Sequence, residues 1–279
     1  MFKLFGGAAG VCFCFSPSIH ALSSRSFIES RPTFLDVATS VGTDKVTVHN
    51  YDAMYTKYFE GLRLRRSVRK ILEIGLGCTM EYGPGASAKL WRKYLPRAEV
   101  WEADFDAACV SHHSAAMDSL GVHILIGDQS NTAHLHQWIN RSGGNFDIIV
   151  DDGGHTNMQQ YNAFVTLFVH ALNPGGVYFL EDLVVSRTWV DGDKKHVMAD
   201  VIRDWVEILM LGEGTYTQLP LFAYDPWFKL PPGVKSIECF LGCCAFTKCS
   251  RDDARCLHKG VDLNLTKYTS RGTALLTAG

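Results

Sequence analysis

Proline is scarce in this chain, 9 residues in 279, and no internal repeat or low-complexity segment occurs. Together with 25 glycines in no fixed period, that excludes collagen-like and proline-rich extended chains. Neither sign of charge dominates: 27 Lys+Arg stand against 29 Asp+Glu, a net charge of −2, and charged residues make up 20%. Such a balance argues against a strongly basic nucleic-acid binder and against an acidic disordered tail. Long apolar runs are missing too. The stretch Leu4–Phe15 would extend roughly 18 Å as a helix, short of the ~30 Å hydrocarbon core, so no stable membrane span is expected. The nine cysteines form no CxxC pair and are too sparse for a disulfide scaffold. Neither a Gly-x-Ser-x-Gly nucleophile turn nor a P-loop is present.

What remains is 47% hydrophobic residues, enough for one sizeable α/β core. Residues 1–35 read as a leader. One lysine, the apolar stretch and a cleavage position after Ala21 fit a signal peptide and the secretory pathway. An organellar transit segment and a plain cytoplasmic N-terminus are the competing readings, since no acid precedes Glu29. Residues 36–66 read as a helical extension that can close over the core. Within it Tyr51, Met54, Tyr55, Tyr58, Phe59 and Leu62 form an aromatic stripe better suited to packing than to a ligand lid. Residues 67–250 form the main domain, and 251–279 a loose tail.

In the main domain short apolar runs alternate with amphipathic segments. Lys70–Gly75, Glu99–Ala103, Val122–Ile126, Phe146–Val150 and Val177–Leu180 read as buried strands, and Ile237–Phe246 as a further strand with cysteines packed in the core. Ser87–Leu95 reads as a helix stopped by Pro96. Tyr161, Phe164, Val165, Phe168, Ala171 and Leu172 share a helical face that Asn173-Pro174-Gly175-Gly176 ends, and Met198, Val201, Ile202, Trp205, Val206 and Leu209 repeat the pattern. Alternating β and α units predict a doubly wound, mainly parallel α/β sheet, in which ligands bind beyond the carboxyl ends of the strands.

Residues just after the strands therefore carry the chemistry. Glu73-Ile74-Gly75-Leu76-Gly77-Cys78 follows the first strand, where glycines let backbone approach a ligand and Glu73 can orient ligand or loop. The second strand ends in Asp104, placed to accept ribose hydroxyls, with Phe105 beside it. The third runs into Gly127-Asp128-Gln129, placed to meet an adenine edge, and Asp151 closes the fourth. From Arg69 to Lys248 this pattern resembles the class I S-adenosylmethionine-dependent methyltransferases, which implies a Rossmann-like fold and that cofactor, held by Glu73, Gly75, Gly77, Asp104, Phe105, Asp128, Gln129 and Asp151. The family's E/D-x-G-x-G-x-G differs here at its third glycine, which is Thr79. A nicotinamide enzyme would need G-x-G-x-x-G, but Met80 stands three past Gly77.

Asp151-Asp152-Gly153-Gly154-His155 follows the fourth strand and Glu181-Asp182 the fifth. Neighbouring strand ends lie about 4.8 Å apart, so four carboxylates at one rim call for a cation, and oxygen donors suit Mg²⁺ or Ca²⁺ better than zinc. Ordinary strand-end and cap acids are the bland alternative. The rim resembles that of the metal-dependent O-methyltransferases of macrolide sugars, with Gly154 in place of a serine. That resemblance implies Asp152, Glu181 and Asp182 as Mg²⁺ ligands and His155 as general base. Gly42-Thr43-Asp44-Lys45, followed by His49-Asn50-Tyr51, is similar to the same group's segment ahead of the core.

The implied activity is O-methylation of a small hydroxylated acceptor, a sugar or other natural product. Alternatives are a catechol-like phenol acceptor and a non-catalytic cofactor-binding protein. Base-modifying methyltransferases usually carry Asn/Asp-Pro-Pro-aromatic where this chain has Asp151-Asp152-Gly153-Gly154, so no nucleic-acid substrate is expected. The basic run Arg63, Arg65, Arg66, Arg69 and Lys70 reads as a solvated linker. Cys239, Cys243, Cys244, Cys249 and Cys256 match no zinc-site spacing. Pocket walls are expected on Leu183–Lys195 and Gly212–Pro232, where Trp189, Trp227 and Phe228 suit a ring-bearing acceptor.

Overall fold

Short, nearly continuous apolar runs decide the architecture. The computed structural model describes residues 31–64, 68–80, 83–187, 197–211, 228–253 and 256. The run Lys70–Ile74 is strand β1. Ile71 packs into one core layer, Leu72 and Ile74 into the other, as in a strand covered on both faces. Strands Glu99–Asp104 (β2), Val122–Ile126 (β3), Phe146–Asp151 (β4), Leu172–Leu180 (β5), Val234–Phe240 (β6) and Cys243–Lys248 (β7) follow. They order as β3-β2-β1-β4-β5-β7-β6; β1 to β5 are parallel, and β7 runs antiparallel to both neighbours. The sheet is the doubly wound one expected. Its order reverses between β1 and β4, which makes the crevice beyond their carboxyl ends the natural ligand site.

One face is covered by Phe34–Val41 (α1), Asp52–Leu64 (α3), Ala86–Tyr94 (α4) and Ala107–Leu120 (α5), with the short turn of helix Asp44–Thr47 (α2) between α1 and α3. The other carries Thr132–Ser142 (α6), Asn157–His170 (α7) and Met198–Leu211 (α8). The aromatic stripe on α3 does pack. Phe34 stacks on Tyr55 at 5.0 Å and Phe59 on Trp91 at 5.3 Å, while Tyr55 and Phe59 lean on Phe179 of β5. These rings fix the segment ahead of β1 to the sheet.

Helix α7 opens with a capping box, Thr156 and Gln159 bonding each other's backbone, so His155 stands just before the helix. The helix stops at His170, two residues short of the expected end, where Lys248 Nζ donates to the carbonyls of Phe168, Val169 and Leu172. Asn173-Pro174-Gly175-Gly176 opens β5 instead of following the helix.

Ile237–Phe246 is not one strand. Leu241 and Gly242, both at positive φ (46° and 88°), reverse the chain between β6 and β7, the backbone a two-residue hairpin requires. The cysteine reading is corrected as well. Cys78–Cys109, Cys239–Cys244 and Cys249–Cys256 are disulfides, and among the described residues Cys243 alone is a free thiol. The first joins partners 31 residues apart that β1 and β2 bring side by side.

The elements described belong to one compact unit that begins at Pro32. The leader up to residue 30, Arg65, Arg66, Trp189, Trp227 and nearly all of the 251–279 tail lie outside the described residues. No helix among the described residues is long and apolar enough to cross a membrane. Non-reducing peptide mapping should recover Cys78–Cys109, and Cys78→Ser with Cys109→Ser should lower stability by roughly 3 kcal/mol, read from denaturant midpoints.

Candidate active site

The carboxyl edge of the sheet has two ends. At the first, the loop after β1 turns sharply at Gly75, whose φ of +104° and close approach to the Asp152 carbonyl leave no room for a side chain. Asp104 Oδ2 accepts from the Leu76 amide at 3.0 Å and its Oδ1 from the Asp106 amide at 2.9 Å, locking this loop to the end of β2. Phe105 projects beside it, 71% exposed. A cavity of about 410 Å³ opens here, lined by Phe105, Ile126, Gly127, Asp128, His134 and Gln159 among others. Asp128 holds Ser130, and its own amide donates to His134 Nδ1 at 3.0 Å. Gln129 is knitted inward: Nε2 donates to Asp151 Oδ1 at 2.9 Å and Oε1 accepts from the Gly154 amide at 2.7 Å. Asp151 also accepts from Tyr178 at 2.7 Å, and burial raises its carboxyl to about 7 against those hydrogen bonds.

At the second end Asp152, His155 and Asp182 each offer a ligand atom, all within 4.8 Å of one another, and all three are half-buried. His155 Nε2 lies 3.7 Å from Asp182 Oδ2. Tyr51 donates to Asp182 Oδ1 at 2.7 Å, and His49 Nδ1 stands 3.6 Å from the same atom. Burial, followed by the Asp182 contact, pushes the Tyr51 hydroxyl well above the ordinary tyrosine range, so it acts as a donor. Asp182 has φ +53°, and its carboxylate and that of its neighbour Glu181 have separate partners.

Glu181 goes inward. Its carboxylate is buried, accepts from the Tyr55 hydroxyl and pairs with Lys45 Nζ at 2.8 Å. The same ammonium reaches Asp152 Oδ2 at 2.7 Å and Glu73 Oε1 at 3.0 Å. Burial works against its charge, but Asp152, Glu181 and Glu73 outweigh that and hold it well above the ordinary lysine range. Glu73 also accepts from Trp91 Nε1 at 2.6 Å, so this acid is committed beneath the loop. Glu102, paired in register with Glu73, is pushed well above the carboxylate range by burial and then by the Glu73 charge, which favours its neutral acid.

The two carboxylates of the outer rim, Asp152 and Asp182, fit a hard divalent cation, and the His155 imidazole stands beside them. Among the described residues His155 Nδ1 is buried without a hydrogen-bond partner, while Nε2 faces Asp182. The exposed Phe105 ring over the cavity likewise fits a flat ligand beside the Asp104 turn.

No protein-family model matches the chain. Among curated proteins, 8-demethyl-8-alpha-L-rhamnosyl tetracenomycin-C 2'-O-methyltransferase of Streptomyces olivaceus is 33% identical over 171 residues, 61% of this chain and 43% of that protein. Mycinamicin VI 2''-O-methyltransferase of Micromonospora griseorubida is 35% identical over 138 residues, 49% and 32% respectively. The chain thus spans less than half the length of these curated relatives. Among solved structures, the MycE methyltransferase of the mycinamycin biosynthetic pathway, in complex with Mg, SAH and mycinamycin VI, aligns with a TM-score of 0.62. Identity is 21%, over 81% of this chain and 57% of that one. The fold is the Rossmann-like methyltransferase fold.

On this methyltransferase fold the structure brings three of the four expected rim residues together, Asp152, His155 and Asp182, and sends Glu181 into the Lys45 network. Gly75, Gly77, Asp104, Phe105 and Asp128 stand around the loop and cavity, whereas Glu73, Gln129 and Asp151 serve as buried supports. Sequence reasoning expected the segment with Lys45, His49 and Tyr51 to close over cofactor and substrate, but assigned no individual site role to these residues or to Tyr55. The signal was there: Lys45 closes the Gly42–Lys45 motif, and Tyr51 and Tyr55 sit four apart in the aromatic stripe.

A side chain at Gly75 would meet the Asp152 carbonyl at 2.1 Å, while one at Gly42 (φ +73°) meets nothing within 4 Å. Gly42→Ala should therefore cost about 1 kcal/mol of backbone strain, and Gly75→Ala at least about twice that, in urea midpoints. Equal costs would count against the close approach.

Proposed function

We propose that the chain is an S-adenosylmethionine-dependent O-methyltransferase that uses a divalent cation, Mg²⁺ in the first instance, to methylate a hydroxyl of a small molecule such as a sugar or other natural product. The grouping of Asp152, His155 and Asp182 at the edge that also holds the Gly75 loop and the Phe105 cavity carries this reading. The names of its relatives support the acceptor class: they act on sugars of rhamnosyl tetracenomycin and mycinamicin.

Asp104 and Phe105 would hold the nucleoside part of S-adenosylmethionine, which supplies a methyl group on a sulfonium. Asp152 and Asp182 would hold the cation. When bound, a divalent cation lowers the pKa of an acceptor hydroxyl, a poor nucleophile near pH 7, and fixes its orientation. His155 would accept the proton. It stands just ahead of the α7 N-terminus, with Nε2 turned toward Asp182 at the rim. Tyr51 keeps the Asp182 carboxylate aimed by donating to it. The aromatic packing under α3 fixes Tyr51 in turn, so the reacting groups are positioned before the acceptor arrives.

Three disulfides support a setting in an oxidising compartment, in keeping with the signal-like N-terminus.

An acceptor screen that follows S-adenosylhomocysteine release tests the proposal. Turnover should stop with chelator and return with Mg²⁺. His155→Ala should lose roughly 10²–10⁴-fold in kcat while still binding cofactor and cation. Turnover indifferent to chelator and to His155→Ala would overturn it. Loss of cation binding in His155→Ala would make that residue a ligand instead of the base.

A further inference from the structure

One of the disulfides lies at the nucleotide end of the carboxyl edge. Cys78 is on the loop after β1, and Cys109 is in the first turn of α5, which follows directly on Asp104 and Phe105. Their bond therefore joins the two segments that flank the cofactor position. Hydrogen bonds hold the base of the loop: the Gly75 amide donates to the Ala103 carbonyl at 2.7 Å, the Leu76 amide to Asp104 Oδ2 at 3.0 Å, and the Gly85 amide to the Leu76 carbonyl at 2.9 Å. The tip is held differently. Among the described residues from Gly77 to Gly83, the hydrogen bonds stay within the loop, from the Met80 amide to Gly77 and from the Gly83 amide to Met80. The covalent tie to α5 starts from Cys78, in the middle of that tip. Its other end is firm, because Asp106 caps α5 by accepting from the Ala108 and Cys109 amides at 3.0 Å each.

We infer that Cys78 and Cys109 are positioning residues for the cofactor: their disulfide holds the tip of the β1 loop in its binding conformation before S-adenosylmethionine arrives, so cofactor affinity depends on the oxidation state of this pair. The inference rests on the cofactor reading of this edge given above. Its physical basis is the entropy of an untied loop. Gly77, at φ +81°, gives the tip backbone freedom that binding would otherwise have to remove. When a loop is competent for only a fraction of the time, the apparent dissociation constant rises by the inverse of that fraction. A tip competent about a tenth of the time would bind roughly tenfold more weakly.

Calorimetric titration of the 279-residue chain with S-adenosylmethionine compares the wild type, Cys78→Ser/Cys109→Ser and a control, Cys249→Ser/Cys256→Ser. The control disulfide sits at the opposite edge of the sheet, where the Cys249 carbonyl accepts from the Gly175 amide near the start of β5. Cys78→Ser/Cys109→Ser should bind roughly tenfold more weakly, while the control stays within about twofold of wild type. A purely structural disulfide would instead lower the denaturant midpoint and leave cofactor affinity unchanged. If the serine pair does not fold, Cys78→Val/Cys109→Ala breaks the same tie and keeps apolar atoms where Cys78 packs against the core. Redox treatment gives a second arm. A dithiol passes two electrons and two protons to the pair, breaking the S–S bond to two thiols and closing to its own cyclic disulfide. Once alkylation shows Cys78 and Cys109 free, the wild type should bind as weakly as Cys78→Ser/Cys109→Ser, and the dithiol should not weaken that variant further. Equal affinity in wild type and Cys78→Ser/Cys109→Ser, or equal weakening in the control, would overturn the inference while leaving the cofactor reading standing. No cofactor binding by the wild type would overturn both.

Discussion

The buried ion cluster around Lys45 is the constraint on which the carboxyl edge of this sheet depends. A parallel sheet sets its strand ends about 4.8 Å apart. This one places acids at the ends of β1, β2, β4 and β5, so their charges crowd by construction. Removing such charges from water is costly unless they are paired. Lys45 supplies the positive charge at the centre, and Glu102 is favoured in its neutral form. Breaking a buried pair of this kind typically costs about 3–5 kcal/mol. The aromatic packing of Phe34, Tyr55 and Phe59 against Trp91 and Phe179 therefore does more than fill space, since it anchors the helices that flank Lys45.

That cluster divides the edge into an inner half and an outer half. The inner acids, Glu73, Glu102 and Glu181, are buried and support the loop after β1 and the sheet beneath it. The outer groups, Asp182, His155 and the remaining oxygen of Asp152, stand half-open where chemistry can occur. The nucleotide end and the rim share parts: Gly75 nearly touches the Asp152 carbonyl, and Gln129 ties the end of β3 to Asp151 and Gly154. A shift in one loop is thus felt in the other, which is how two reactants can be held in fixed relation.

Much of this was legible in the sequence. Short apolar runs separated by helices of period 3.6 fixed the sheet and its direction, and the rule that ligands gather beyond strand ends led to Asp104, Asp152, His155 and Asp182. Other parts were hidden for specific reasons. Glu181 and Asp182 look alike in sequence, yet their carboxylates take different partners, Lys45 for Glu181 and Tyr51 for Asp182. The partners of Lys45 lie 107 and 136 residues away, so its motif could be noticed but not interpreted. The cysteines failed for a related reason. Cys78 and Cys109 meet only because β1 and β2 pair, and Cys239 and Cys244 face each other only because Leu241-Gly242 turns what reads as one strand into two.

Calorimetric titration of the 279-residue chain with S-adenosylmethionine, with and without Mg²⁺, addresses the central claim that this edge is a methyltransferase cofactor site. The expected result is saturable binding of one cofactor per chain that survives removal of Mg²⁺, because the loop and cavity that would hold it make no use of the outer rim acids. No binding at high protein concentration in either condition would contradict that claim.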